Sequence, residues 1–231
     1  MTSLSKGISE ERKKRYPRRN TLFGNVDRAF TENELRAFFH QIKDYRSRVC
    51  FGLQAYAGLR LGEAIAVRLE DIDWENREIK ILTEKTGLID FVPVSQPLFD
   101  LLEHYCKAFK GKIEKSGGWL IYSKWGKGNA GADSLRNIFR KACTRAKLNR
   151  VYGMDLKRHQ LHVLTSHSLR YYFASKLHSE GVSELTISRL LRHTNLSSTS
   201  QYIVKTRGQL HSAVKQAFEI SPSQRRGGET K

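Results

Sequence analysis

His167-Ser168-Leu169-Arg170, followed downstream by His193 and Tyr202, is the stretch from which the rest of the chain is best read. A histidine and an arginine three residues apart share one face of a helix. Arginine is the side chain best suited to gripping a phosphate through two parallel N–H bonds. A second histidine and a tyrosine hydroxyl would complete a set able to attack that phosphate. The set gains its meaning only if the chain upstream supplies a second arginine and a lysine in suitable settings.

Working outward, residues 167–178 form a helix with Leu169, Phe173, Ala174 and Leu177 inward. A further helix spans 183–192 on Leu185, Ile187, Leu190 and Leu191, and His193 sits in the turn past its end. Tyr202 falls in 197–204, a short segment that reads as helical or as extended. Residues 209–218 place Leu210, Val214, Ala217 and Phe218 on one stripe.

Upstream, Thr31-Glu32-Asn33-Glu34 has the form of a capping box, followed by Leu35, Phe38, Phe39 and Ile42 at helical spacing. A second helix over 46–57 stops at Gly58, and a short one follows over 63–69. Gly58 and Gly62 bracket Arg60, at a break between helices, with Glu63 three residues on. Such an acid either orients the guanidinium for function or makes an ordinary helix-junction salt bridge. Residues 71–74 read as a turn, and 77–82 and 88–94 as the two strands of a hairpin whose loop carries Lys85. By position alone Lys85 is an exposed lysine and nothing more.

The spacing predicts a helix over 98–109, a glycine- and lysine-rich loop over 111–118 and a short strand over 119–122. The glycines at 126, 128 and 131 lack phosphate-loop spacing, so no nucleotide site is expected. A helix over 133–148 crowds Leu135, Ile138, Phe139, Ala142, Cys143 and Ala146 on one arc. Arg136, Arg140, Lys141, Arg145 and Lys147 occupy the other, a basic face for DNA phosphates or a merely solvated one. Residues 149–165 read as irregular. Their histidines, His159 and His162, have no cysteine or acidic cluster beside them, so no metal site is expected.

Composition agrees with a nucleic-acid partner. Among 231 residues, 41 are Lys or Arg against 23 Asp or Glu, a net charge of +18. The first twenty residues hold seven basic and two acidic side chains, so most of the excess lies in the body. Residues 1–24 read as a flexible basic arm for DNA backbone or a solvated tail, 25–220 as the folded domain and 221–231 as a disordered tail. Cys50, Cys106 and Cys143 show no paired spacing and fit a reduced, cytoplasmic setting. The longest apolar run, 50–59, is too short and glycine-broken to span a bilayer, so no membrane partner is expected.

Together these residues resemble the catalytic domain of the tyrosine recombinases, or phage-type integrases. The resemblance rests on Ala57-Gly58-Leu59-Arg60-Leu61-Gly62-Glu63, the hairpin Lys85, His167-Ser168-Leu169-Arg170, Leu191-Arg192-His193 and Tyr202 nine positions later. It implies the family fold, mainly α with a small antiparallel β-sheet. It also implies site-specific DNA cutting and rejoining through a 3′-phosphotyrosyl link to Tyr202. Arg60, Arg170, His167 and His193 would hold the phosphate, Lys85 would protonate the leaving 5′ oxygen, and Glu63 would hold Arg60. No metal or other cofactor is implied. The partner would be double-stranded DNA, bound by a homo-tetramer formed from free monomers or weak oligomers, with the last helix packed in trans or back on its own domain.

Two departures stand out. Arg192 replaces the glycine usual before that histidine; it changes the turn and adds a cation near the site, or touches the DNA backbone. Only some thirty residues precede the catalytic body, where most relatives carry a helical DNA-binding domain, so the chain is a naturally short form or a catalytic piece. The competing readings are a type IB topoisomerase that relaxes DNA and a non-cutting DNA-binding regulator on the same fold.

Overall fold

Thr31 and Glu34 form the reciprocal cap that their spacing predicts. In the computed structural model the Glu34 N–H donates to the Thr31 hydroxyl at 3.3 Å, and the Thr31 N–H to the Glu34 carboxylate at 3.0 Å. The structure describes residues 28–83, 87–125, 127–154, 159–192 and 207–218. They belong to two units, one made of Ala29–Asn149 and Leu164–Lys231, the other of Met1–Arg28 and Arg150–Val163.

In the larger unit α1 (Glu32–His40) leads into α2 (Tyr45–Tyr56), which is the spine. Val49, Cys50, Phe51, Leu53 and Ala55 of α2 are fully enclosed. Its buried polar side chains are bonded rather than solvated, Arg46 donating to the Tyr122 carbonyl, Ser47 to the Asp44 carboxylate and Gln54 to the Ser166 carbonyl, so the helix can sit in the core. Around it pack α4 (Gln96–Lys115), α5 (Ala132–Arg145) and α6 (Ser166–Ser179). Phe38, Phe51 and Phe139 close the centre, with ring centroids 4.9 Å apart for Phe38 and Phe139 and 5.5 Å for Phe38 and Phe51. Between α2 and α4 lie the short α3 (Leu61–Ile65) and an antiparallel sheet of β1 (Ile72–Asp73), β2 (Glu78–Thr83) and β3 (Leu88–Pro93), in that order. Ile79 faces Val92 across β2 and β3, and both are buried.

A second apolar cluster joins α6, α7 (Glu184–Leu190) and α8 (Arg207–Phe218) through Phe173, Leu177, Ile187, Leu190, Leu191, Val214 and Ala217. Phe218 stacks on Phe173 at 5.5 Å and meets Tyr56 edge-on at 5.7 Å. His211 pairs with Glu78 at 2.8 Å. In the single chain, then, α8 packs on its own unit. The smaller unit is described at Arg28 and over a hairpin, β4 (Val151–Met154) with β5 (Gln160–His162), in which Arg28 lies over the Tyr152 ring at 5.5 Å.

The mainly helical architecture with a small antiparallel sheet is as expected, but several boundaries are not. Residues 71–74 are not simply a turn, because Ile72 is buried and pairs with Ile79. The expected loop over 111–118 is mostly helix. Ile113 is fully enclosed, and that burial outweighs the cost of roughly 1 kcal/mol for a mid-helix glycine. The chain instead kinks at Phe109 and turns at Gly117 and Gly118, both at φ 89°. The helix after Arg60 begins earlier and ends sooner than 63–69, and residues 69–71 form a 3-10 turn. The strand expected at 119–122 survives as two isolated bridges, Trp119 to Arg68 and Tyr122 to Asn129. Within 149–165 the β4–β5 hairpin replaces an irregular segment.

Candidate active site

Gly58 ends α2 in the left-handed conformation, φ 64°, which turns the chain sharply and delivers Arg60 to the start of α3. Glu63 then reaches back to cap that helix, accepting the Arg60 backbone N–H at 2.7 Å on one oxygen and the Arg60 guanidinium at 2.7 Å on the other. The pair is a helix-junction salt bridge, and its bonds set the direction of the guanidinium. Ser168 does the same work at the start of α6. Its buried hydroxyl accepts the Thr165 N–H at 3.0 Å, which sets the helix entry and so the direction of His167 and Arg170.

Arg170 is buried and donates to the carbonyl oxygens of Gly58 and Leu191, with Glu63 at 3.8 Å. It therefore ties the end of α2 to the end of α7. Arg192, expected to add a cation near the site or to touch the DNA backbone, is turned inward. Its guanidinium binds Glu63 at 2.7 Å and the Leu190 carbonyl at 2.9 Å. The reason is the backbone: at φ 52° the residue just past α7 points back under the site. That conformation costs a non-glycine residue about 1 kcal/mol or more. The ion pair with Glu63 offsets it.

Three guanidiniums thus converge on one carboxylate, leaving two positive charges in excess among the described side chains. Burial by itself would raise the Glu63 pKa, but Arg192 and the bonds from Arg60 hold it below its ordinary value. Burial, with Arg192 and Arg60 alongside, pushes Arg170 down to about 9, so it stays protonated at neutral pH. His167 keeps contact with solvent and packs edge-on to Tyr171 at 5.7 Å. Burial first, then Arg170 and Arg60, lower its pKa against the opposing pull of Glu63. A neutral imidazole accepts a proton from a nucleophile better than a charged one.

Arg60, Glu63 and Arg192 line a cavity of about 590 Å³, together with Arg68, Lys80 and Trp119. Arg68 and Lys80 were not expected here. No motif marks them, and only the fold of the sheet against α3 brings them to this wall. Arg136, Arg140, Lys141, Arg145 and Lys147 are exposed on or just after α5, opposite buried Leu135, Phe139, Ala142 and Cys143. Lys85, His193 and Tyr202 lie outside the described residues.

Acid should loosen this cluster. Both Glu63 and His167 are depressed in the folded protein, so the stability they contribute is present above their ordinary values and lost as pH falls. The loss begins below about 6.5 for His167 and below about 4.5 for Glu63, continuing through the lower folded values. Melting temperature followed from about pH 7 to about pH 3 should fall, and Glu63→Gln should make the stretch below about 4.5 shallower. An unaltered slope in that variant would show that Glu63 does not titrate with folding.

The phage integrase family profile matches residues 28–208. The chain belongs to the phage integrase family. Among curated members it is 28% identical over 186 residues to the tyrosine recombinase XerC of Staphylococcus saprophyticus, covering 78% of this chain and 58% of that protein. It therefore spans little more than half the length of that relative. Among solved structures, the integrase from mycobacterium phage Brujita superposes with a TM-score of 0.63 at 19% identity, covering 84% of this chain and 59% of that one. The XerH site-specific recombinase, solved with its difH substrate before cleavage, superposes with a TM-score of 0.59 at 18% identity, over 82% of this chain and 54% of that one. These likenesses are ones of fold: this integrase-family chain has the tyrosine recombinase catalytic-domain architecture.

Proposed function

We propose that this chain is a site-specific DNA recombinase, cutting and rejoining double-stranded DNA as a homo-tetramer in the cytoplasm. The observation that carries the reading is the excess of positive charge beside the cavity, where Arg60, Arg170 and Arg192 converge on the single carboxylate of Glu63, in a chain of this family. A phosphodiester resists attack because it is anionic and its alkoxide leaves poorly. Arg60 and Arg170 neutralise the phosphate and the extra charge of its five-coordinate transition state. His167 and His193 add hydrogen bonds, and His167 takes the phenolic proton of Tyr202. The Tyr202 oxygen then bonds to phosphorus as the bond to the 5′ oxygen breaks, and Lys85 protonates that oxygen. A 5′-hydroxyl from a partner strand reverses the step, so the bond energy is kept and strands can be exchanged.

The basic face of Arg136, Arg140, Lys141, Arg145 and Lys147 supplies sequence-independent contacts to the DNA backbone. Residues 1–24 serve as an arm to that backbone, 25–220 as the catalytic domain and 221–231 as a tail, and contacts of this kind weaken as salt rises.

Covalent capture tests this reading. The protein and its Tyr202→Phe variant are mixed with DNA from the flanks of the gene, then denatured in detergent. An adduct with the wild type alone is expected, and sequencing its ends would locate the site. An adduct that persists in Tyr202→Phe would move the nucleophile elsewhere. Tight binding with no adduct on any flank would make the protein a non-cutting regulator.

A further inference from the structure

Arg192 occupies a position whose backbone favours glycine, and its guanidinium is not placed to meet a substrate. Its side chain is 4% exposed, whereas that of Arg60 is 32% exposed. Its two terminal nitrogens are committed to Glu63 at 2.7 Å and to the Leu190 carbonyl at 2.9 Å. Its own carbonyl accepts from the Arg60 guanidinium at 3.3 Å. Glu63 cannot follow Arg60 outward, because the Arg60 backbone N–H pins it to the start of α3.

We propose that Arg192 is the standing counter-ion of Glu63, a positioning residue that releases the Arg60 guanidinium to pair with a DNA phosphate. The inference rests on reading the cavity as a phosphodiester site. A buried carboxylate that loses its cation is strongly disfavoured. If Glu63 depended on Arg60 alone, with Arg170 at 3.8 Å, it would hold that guanidinium back from the substrate. With Arg192 in place the carboxylate stays compensated when Arg60 turns to the phosphate. Arg192 then neutralises Glu63, and the more exposed Arg60 is free to join Arg170 at the phosphate. Arg192 is thus assigned to the inner face of the site and not to the DNA backbone.

The test is the salt dependence of binding to a short random-sequence duplex, measured for the wild type, Arg60→Ala, Arg192→Gly, Arg192→Lys and the double variant Glu63→Gln/Arg192→Gly. A side chain that touches a phosphate adds about 0.9 to the slope of log affinity against log salt. Arg60→Ala should weaken binding and lower that slope by about this amount. Arg192→Gly, which suits the backbone and should fold, is expected to weaken binding about tenfold and to lower the slope toward that of Arg60→Ala, because Glu63 then keeps the Arg60 guanidinium from the phosphate. Arg192→Lys should recover part of the affinity. Removing the carboxylate charge as well, in the double variant, should restore most of it, which a merely structural role for Arg192 would not produce.

The inference is overturned if Arg192→Gly binds like the wild type or keeps the wild-type slope, or if the double variant recovers neither affinity nor slope, as it would fail to do if Arg192 itself touched the phosphate. If Arg60→Ala itself leaves affinity and slope unchanged, the phosphodiester reading of the cavity fails instead, whatever the Arg192 variants do.

Discussion

Replacing Glu63 with alanine should lower the stability of the protein by about 3–5 kcal/mol, the usual cost of stripping one partner from a buried ion pair. The Glu63 side chain is 8% exposed and is the one carboxylate among the described side chains of the cluster. Without it the guanidiniums of Arg170 and Arg192, both almost fully enclosed, face each other and Arg60 with no opposing charge. The start of α3 also loses the acceptor of the Arg60 backbone N–H. Urea denaturation would measure the loss as a lower midpoint at unchanged slope. Adduct formation should fall about a hundredfold further than folding accounts for, since Arg60 would no longer be aimed. A Glu63→Ala protein with the wild-type midpoint would mean that solvent, and not this carboxylate, compensates the arginines.

Gly58→Ala should be nearly as damaging, at about 2–4 kcal/mol, through the cost of a left-handed alanine together with overpacking. A Cβ on Gly58 would stand 2.6 Å from Cδ1 of Phe173 and 3.2 Å from a methyl of Leu191, at φ 64°. Phe173 cannot swing clear, because it is fully buried and stacked on Phe218. The Gly58 carbonyl is also an anchor for Arg170, so the backbone cannot shift without disturbing the site. Gly62→Ala is the control: a Cβ there meets nothing within 4 Å, and the residue lies inside α3. It should leave stability unchanged or raise it by up to about 1 kcal/mol. Equal effects from the two substitutions would remove Phe173 and the backbone angle as the explanation.

Much of this molecule is legible in the chain because its signals are local. The Thr31 and Glu34 cap, the apolar run of α2, the glycine that ends it and the two faces of α5 each act over a few residues. The misreadings have a common cause in burial by distant partners. The helix through Gly111 is held by the enclosure of Ile113, and β1 exists because Ile72 finds Ile79. Neither partner is marked by any local pattern.

The same division applies to the site. By itself the sequence determined that two arginines, a histidine and a glutamate of the right chemistry stand at helix ends, in the order of one enzyme family. Only the tertiary structure decided what each arginine faces. Glu63 meets Arg192 across 129 residues of chain, and Arg170 reaches the Gly58 carbonyl across 112. Helical periodicity and capping extend over one or two turns and carry no information at such separations. The choice between a guanidinium turned to solvent and one turned to a buried carboxylate is settled by the packing of α2, α6 and α7, which brings those distant ends together in a space with little water.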